Sequence, residues 1–252
     1  MFQNKTVFIT GAASGMGLLS AQCFAAEGAN VALLDINREA LDAAVASITE
    51  KGGKAIGIQT DVTKYEQLVA AKDRTIEAFG SIDIVLPSAG GAEGRLANDH
   101  TEFKDRDIAV FDFGIDLNLK GAIYTAQVCL NQMAKQMSGV IIFLGSITGV
   151  EGGGSSAVAY ACAKSGLITG ATKSLAQYGA KYNIRVNCIS PGPVLTREAM
   201  ARMSTLMGRA AEPQEIVDMI LYIASDKAAF MTGSNILIDG GRNVMDKRKY
   251  EK

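Results

Sequence analysis

Thr6-Val7-Phe8-Ile9-Thr10-Gly11-Ala12-Ala13-Ser14-Gly15-Met16-Gly17 runs from a short apolar, largely β-branched segment into a glycine-rich turn. This composition predicts a strand over 6–10, a loop, and then a helix over 15–27 that stops at Gly28. Glycine lets the backbone turn tightly and approach a pyrophosphate, which loop amides and the helix N-terminus then hold. Taken alone, such a loop is equally a plain strand-to-helix turn. Asp35 tips the balance, because it ends a second predicted strand, 30–35. An acid that grips ribose hydroxyls is expected there, roughly 20 residues beyond the glycines. A carboxylate at that point accepts from the 2′- and 3′-hydroxyls of NAD and repels a 2′-phosphate. NAD is therefore the expected cofactor, with NADP the lesser alternative through the nearby Arg38. The competing reading of Asp35 is a cap at a strand end.

The same alternation continues outward from this unit. Helices are predicted over 38–51, 65–79, from 111 or 115 to 137, 157–176 and 213–225. Strands are predicted over 55–60, 82–86, 140–144, 184–189 and 236–238. Short apolar strands alternating with longer amphipathic stretches indicate βαβ units and an α/β fold with a parallel sheet. Irregular segments follow strands four, five and six, over 90–107, 149–156 and 194–211. In an open parallel sheet such loops face one cleft beyond the carboxyl ends of the strands. The charged tail, 242–252, is expected to be mobile unless it docks on a neighbour.

Bulk properties exclude several classes of function. The 252 residues suffice for one α/β domain spanning 1–252, with 48% hydrophobic and 20% charged residues. A net charge of −1 offers no field for nucleic acid or an anionic membrane. Cys23, Cys129, Cys162 and Cys188 are far apart, and with the single His100 they form no recognisable metal set. No apolar run is long enough to span a bilayer, and the N-terminus lacks a signal peptide. A cytoplasmic protein with reduced thiols and no metal is expected.

Tyr160-Ala161-Cys162-Ala163-Lys164 supplies the chemistry. On a helix, residues four apart share a face, so the ammonium stands beside the phenol and favours its anionic form. Such a tyrosine can give and take a proton at a carbon–oxygen bond. By itself the pair is more often a solvated aromatic–lysine contact.

Read together, the motifs resemble those of the short-chain dehydrogenase/reductase family over about the whole chain. They are Thr10-Gly11 with Gly15 and Gly17, Asp61-Val62, Asn118, Ser146, Tyr160 with Lys164, Arg185-Val186-Asn187, Pro191-Gly192, Thr232-Gly233 and Asp239-Gly240-Gly241. The resemblance implies a Rossmann-type, doubly wound seven-stranded sheet of order 3-2-1-4-5-6-7 with helices on both faces. It implies Tyr160 as general acid/base and Lys164 as its activator and ribose ligand. Ser146 would hold the substrate oxygen, with Thr148 the fallback, and Asn118 would steady a water leading from Lys164 to solvent. Gly11, Ser14, Gly15, Met16 and Gly17 would cradle the pyrophosphate, with Asp35 and Ile36 at the adenosine ribose. Asp61 and Val62 would flank the adenine, and Ala89 and Gly90 would approach the ribose. Pro191, Gly192, Val194 and Thr196 would wrap the nicotinamide.

The sequence departs from the family in three places. Pro87-Ser88 replaces the usual paired asparagines, which puts sheet and ribose contacts there in question. The interval from Ser146 to Tyr160 is about one residue long for the family, with Gly152-Gly153-Gly154 as its place. The segment after strand four is long, while 194–211, the expected substrate lid, is short. Met200, Met203 and Met207 fall at helical spacing in that lid, either as packing or as an adaptable apolar wall. Arg95 and Glu151 are candidates for touching a polar substrate.

The expected activity is therefore NAD-dependent interconversion of a secondary alcohol and a ketone, of the sugar, polyol, steroid or other cyclic class. The alternatives are an NADP-dependent carbonyl or 3-oxoacyl-type reductase and a non-catalytic dinucleotide-binding sensor. Resemblance also implies a homotetramer formed through the Asn118 and Tyr160 helices. Ala122, Ala126, Cys129, Ala163, Gly170 and Ala171 are the small residues expected at that contact.

Overall fold

The computed structural model of the chain describes residues 1–154 and 157–246. The first half alternates strictly: β1 (Thr6–Thr10), α1 (Gly15–Ala26), β2 (Asn30–Asp35), α2 (Arg38–Thr49), β3 (Lys54–Gln59), α3 (Tyr65–Phe79) and β4 (Ile84–Pro87). A short α4 (Glu93–Leu96) interrupts the next segment. Then α5 (Ile108–Ile115) and α6 (Gly121–Gln136) run on through a π-helical turn, Asp116–Lys120, to β5 (Gly139–Leu144). One helical turn, α7 (Thr148–Glu151), precedes α8 (Val158–Ser165), which continues through a π-helical turn, Gly166–Ala171, into α9 (Thr172–Gly179). The fold closes with β6 (Ile184–Pro191), α10 (Pro213–Ala224) and β7 (Asn235–Ile238).

All paired strands are parallel, and the described residues form one seven-stranded sheet of order 3-2-1-4-5-6-7. Both faces are covered, which is why the inner strands are apolar throughout: all five residues of β1 are buried. Phe24, Leu41, Ile48, Ile216 and Ile220 pack one face from α1, α2 and α10. Leu68, Ala126, Met133, Leu167 and Ala176 pack the other from α3, α6 and the α8–α9 rod. Each large apolar side chain so buried contributes roughly 1.5–3 kcal/mol. The strand order reverses between β1 and β4, so the crevice beyond their carboxyl ends is the place for a ligand.

The differences from the sequence reading have local causes. The long helix starts at Ile108, earlier than expected, because the Asp107 carboxylate accepts from Ala109 N at 2.9 Å and caps it. β4 starts late because the Gln136 side-chain amide pairs with both Ile82 N (3.1 Å) and Ile82 O (2.9 Å), in place of a neighbouring strand. Ala122, Ala126, Cys129 and Ala163 are buried inside the chain, so they offer no surface to a second copy. Of the expected residues Gly170 is exposed and Ala171 half-buried, and Cys162, Thr169 and Phe113 are exposed beside them. The tail begins by docking on its own chain: Arg242 bonds Glu151 at 2.9 Å and Ser204 O at 3.0 Å. Residues 155–156 of the expected loop and 247–252 of the tail lie outside the described residues. No helix among the described residues is long and apolar enough to cross a membrane, and the four cysteines are free.

Candidate active site

The glycine turn sits at the crevice because nothing larger fits where it meets β4. A Cβ on Gly11, whose φ is +64°, would lie 2.7 Å from Ala89 Cα, and one on Gly17 would lie 2.2 Å from Gly11 O. Gly15 has open space in front of it instead. Ser14 is the N-cap of α1, yet its side chain caps nothing, and no acid stands in the first turn. Three other helices satisfy their own N-termini with side chains: α2 through Asn37, α5 through Asp107, and α10 through a reciprocal Glu212–Glu215 box; α3 has no side-chain cap but carries Glu66 in its first turn. The start of α1 therefore keeps bare amide donors and the positive end of its dipole turned to an open face, which fits a pyrophosphate. Asp35 closes the loop from the β2 side, its carboxylate accepting from Ala13 N at 3.1 Å and Asn37 N at 3.0 Å. Ile36 beside it is exposed. Arg38 turns to Asp42 at 2.8 Å, and that bond, with the charge behind it, raises the Arg38 pKa.

Beyond β3, Asp61 accepts from Thr63 N (2.9 Å) and Thr63 Oγ1 (2.7 Å), which folds a tight turn. Val62 next to it is buried against Gly121. Pro87 costs the sheet no ladder hydrogen bond. Successive residues of a strand send their N–H groups to opposite neighbours, and Ser88 N donates to Thr10 O at 3.2 Å. The donor that Pro87 lacks would point toward β5, whose ladder with β4 has already ended at Val85.

Asn118 is fully buried in the π-helical turn, and its side chain is spent on backbone. Its amide donates to Gly91 O (3.0 Å) and Gly114 O (2.9 Å), and its Oδ1 accepts from Gly91 N (2.8 Å). The resemblance gives this amide a water; the partners it holds are backbone groups, and through them it clamps the turn after β4. The clamp also explains Gly90, which has φ +155° and whose added Cβ would lie 2.4 Å from Asn118 Oδ1.

Tyr160 and Lys164 share one face of α8, as their spacing predicts. The Lys164 ammonium is buried, donates to Leu144 O at 2.6 Å, and lies 5.3 Å from the centre of the Tyr160 ring. Ser146, just past β5, accepts from Thr148 N at 3.1 Å. Both side chains border the same cleft as Tyr160, so the preferred residue and its fallback are neighbours. The loop lies against α8 because Gly149 leaves room there: a Cβ on it would meet the Lys164 and Ser165 backbone at 2.8 Å.

The start of α8 is held by a residue that the motifs did not single out. Glu93, on α4, is buried, and its two carboxylate oxygens accept from Ala159 N (2.9 Å) and Tyr160 N (3.0 Å). One acid thus caps the helix that carries the tyrosine and aligns with its dipole. Its only signal in the sequence was an acid inside an unusually long loop.

The cleft measures about 280 Å³ and runs from Gly90 and Ser146 to residues 191–203. Pro191, Gly192, Val194 and Thr196 all line it. Gly192 is fixed by its bond to Ile238 O (2.9 Å), and Ile147 N ties the Ser146 loop to Pro191 O (2.8 Å). Val194 pairs with Ala211 across the base of the 194–211 segment. Met16 borders the cleft from the glycine loop, and Met200 and Met203 form an apolar wall at its mouth, while Met207 is exposed. Arg95 lines the cleft, where burial and the like charge of Arg197 draw its pKa below the ordinary guanidinium value. Glu151, the other residue expected near substrate, is engaged by Arg242.

Comparison with known proteins identifies the family. The family profile described as "Enoyl-(Acyl carrier protein) reductase" matches residues 11–243. The 3-oxoacyl-[acyl-carrier-protein] reductase FabG of Thermotoga maritima is 35% identical, covering 95% of this chain and 98% of that one. Trans-4-hydroxycyclohexanecarboxylate dehydrogenase of Sinomonas cyclohexanicum is 37% identical, covering 95% and 93%. The structure of NAD+-bound xylitol dehydrogenase superposes with a TM-score of 0.86 at 32% identity, covering 95% of this chain and 99% of that one. With its 3-2-1-4-5-6-7 sheet, its glycine turn and its paired tyrosine and lysine, the chain belongs to the short-chain dehydrogenase/reductase family, oxidoreductases of alcohol- and ketone-type substrates.

Proposed function

We propose that the protein interconverts a small secondary alcohol and its ketone with NAD. The observation that carries this reading is the buried Lys164 ammonium 5.3 Å from the Tyr160 ring, in a cleft shared with Ser146. A nicotinamide dinucleotide, when bound, supplies the hydride acceptor or donor. The chain's own groups manage the oxygen and the proton. Ser146 Oγ holds the substrate oxygen, and the Tyr160 hydroxyl gives or takes the proton at that oxygen. Lys164, fixed by Leu144 O, keeps a positive charge beside the phenol and reaches the nicotinamide ribose. Asn118 keeps the Gly90–Gly91 turn tight against this site. Ser14, Gly15 and the bare α1 terminus take the pyrophosphate, and Asp35 takes the ribose hydroxyls. Residues 194–211 serve as the substrate lid of a single cofactor-binding domain.

Asp35 at the ribose position and Arg38 committed to Asp42 favour NAD. NADP with a 3-oxoacyl-type substrate is the second reading, supported by the 35% identity to FabG. A panel of cyclic alcohols, polyols and 3-hydroxyacyl thioesters with either oxidised cofactor decides between them. Absorbance at the reduced nicotinamide band should rise with NAD and a cyclic alcohol or polyol. A rise confined to NADP, or to thioesters, would overturn the first reading.

We also propose a cytoplasmic homotetramer joined along the exposed faces of the α5–α6 and α8–α9 rods. A monomer by light scattering contradicts it.

A further inference from the structure

Two arginines from unrelated parts of the chain border the Tyr160 cleft. Arg95 comes from the loop after β4 and Arg197 from the segment after β6, and both line the cavity that holds Tyr160 and Ser146. Among the described residues no carboxylate lines that cavity. The Arg95 guanidinium lies against the Gly91 backbone, where a Cβ on Gly91 would come 2.2 Å from its Nη2. Among the described residues neither arginine has an ion pair, and the Arg197 guanidinium donates to the Met200 sulfur at 3.6 Å. Nearby arginines behave otherwise. Arg202 pairs with Glu198 at 3.8 Å, Arg209 with Glu215 at 2.6 Å, and Arg242 with Glu151 at 2.9 Å.

Both side chains are exposed at the rim of the cleft, and two like charges bordering one cleft without a counterion raise each other's energy. Partial desolvation and then the like charge of Arg197 draw the Arg95 pKa down. An anion placed between the guanidiniums removes that penalty and can receive two planar, charge-assisted hydrogen bonds. The cofactor's phosphates have their own place at the start of α1, across the cleft behind Met16. A negative group at the mouth would therefore belong to the substrate. The modest volume of the cleft and the Met200–Met203 wall favour a compact apolar body behind it.

We propose that the substrate is a small hydroxy or oxo compound bearing an anionic group, a carboxylate or phosphate, gripped between Arg95 and Arg197. This rests on the dehydrogenase reading for the place of the reacting carbon, but its test does not depend on turnover. The enzyme saturated with NAD is titrated calorimetrically with cyclohexanecarboxylate, cyclohexyl phosphate and neutral cyclohexanecarboxamide. At least one anion should bind about tenfold or more tightly than the amide, the scale set by hydrogen bonds to charged groups. Whichever anion binds tighter identifies the group. Added salt should erode the preference. Arg95→Gln with Arg197→Gln should abolish it, while Arg95→Lys with Arg197→Lys should keep part of it. Equal binding of all three probes overturns the proposal. So does a preference that survives the double glutamine variant, or a variant whose loss lies in NAD affinity alone. Turnover of neutral alcohols without anion preference overturns this inference and leaves the dehydrogenase reading intact. Anion preference without turnover of any alcohol does the reverse.

Discussion

Gly90 shows how tightly one position can be specified. Its φ of +155° lies where side chains rarely go, and its missing Cβ leaves space that Asn118 Oδ1 fills. Gly90→Ala should therefore strain the backbone and push on the Asn118 clamp together, a cost of roughly 1–3 kcal/mol by the usual scale for such backbone strain. Thermal melting should fall by several degrees and turnover with it. An alanine variant with wild-type melting and turnover would show that the clamp is loose. At the same scale, sequence chemistry reached Tyr160 and Lys164 because residues four apart on a helix must share a face. It could not show how the Asn118 amide is spent, since the partners Gly91 and Gly114 are set by the turn after β4 and by a widened helical turn.

Helix ends decide how the elements hold the site. Glu93 takes two backbone donors at the start of α8, so it fixes the height and tilt of the tyrosine. Glu93→Gln leaves one of those donors without its acceptor while nearly keeping the shape. It should lower kcat by up to about 100-fold, the order that a misplacement of about 1 Å costs, with the NAD dissociation constant unchanged. Unchanged kcat would make Glu93 structural filler. The start of α10 offers a test by pH. Bonds from Arg209 and from the Glu212 backbone hold the Glu215 pKa down, from 4.5 to about 2. A carboxylate with a lowered folded-state pKa stabilises the fold above its unfolded value and loses that contribution as pH falls through the folded one. Wild type should thus melt above Glu215→Gln at pH 6, and the gap should close between about 4.5 and about 2. A gap independent of pH would contradict the ionic cap. The end of α3 was legible because Gly80 marks it, whereas α2 ends at Thr49, two residues short of the end expected from Gly52. Boundaries were missed where a distant side chain decided, as Gln136 does at Ile82.

At the level of the whole molecule, the strand order brings the α1 terminus, the Ser146 loop, the tyrosine helix and residues 191–203 to one end of the sheet. That gathering was legible, because three irregular segments follow three successive strands and a parallel sheet turns them the same way. What filled the cleft mouth was not legible. The charge of Arg197 carries no sign that it borders the same cleft as Arg95, about a hundred residues earlier, and the small residues expected on the outside of α6 proved to face the sheet. The division of labour is the central claim: α1 and Asp35 bind, while Tyr160 moves the proton. Tyr160→Phe separates the two, since it removes one hydroxyl and touches nothing at the glycine turn. Measured side by side, turnover of that variant should be lost by several orders of magnitude while NAD binds as to wild type; retained turnover, or loss of NAD binding with it, would contradict the account.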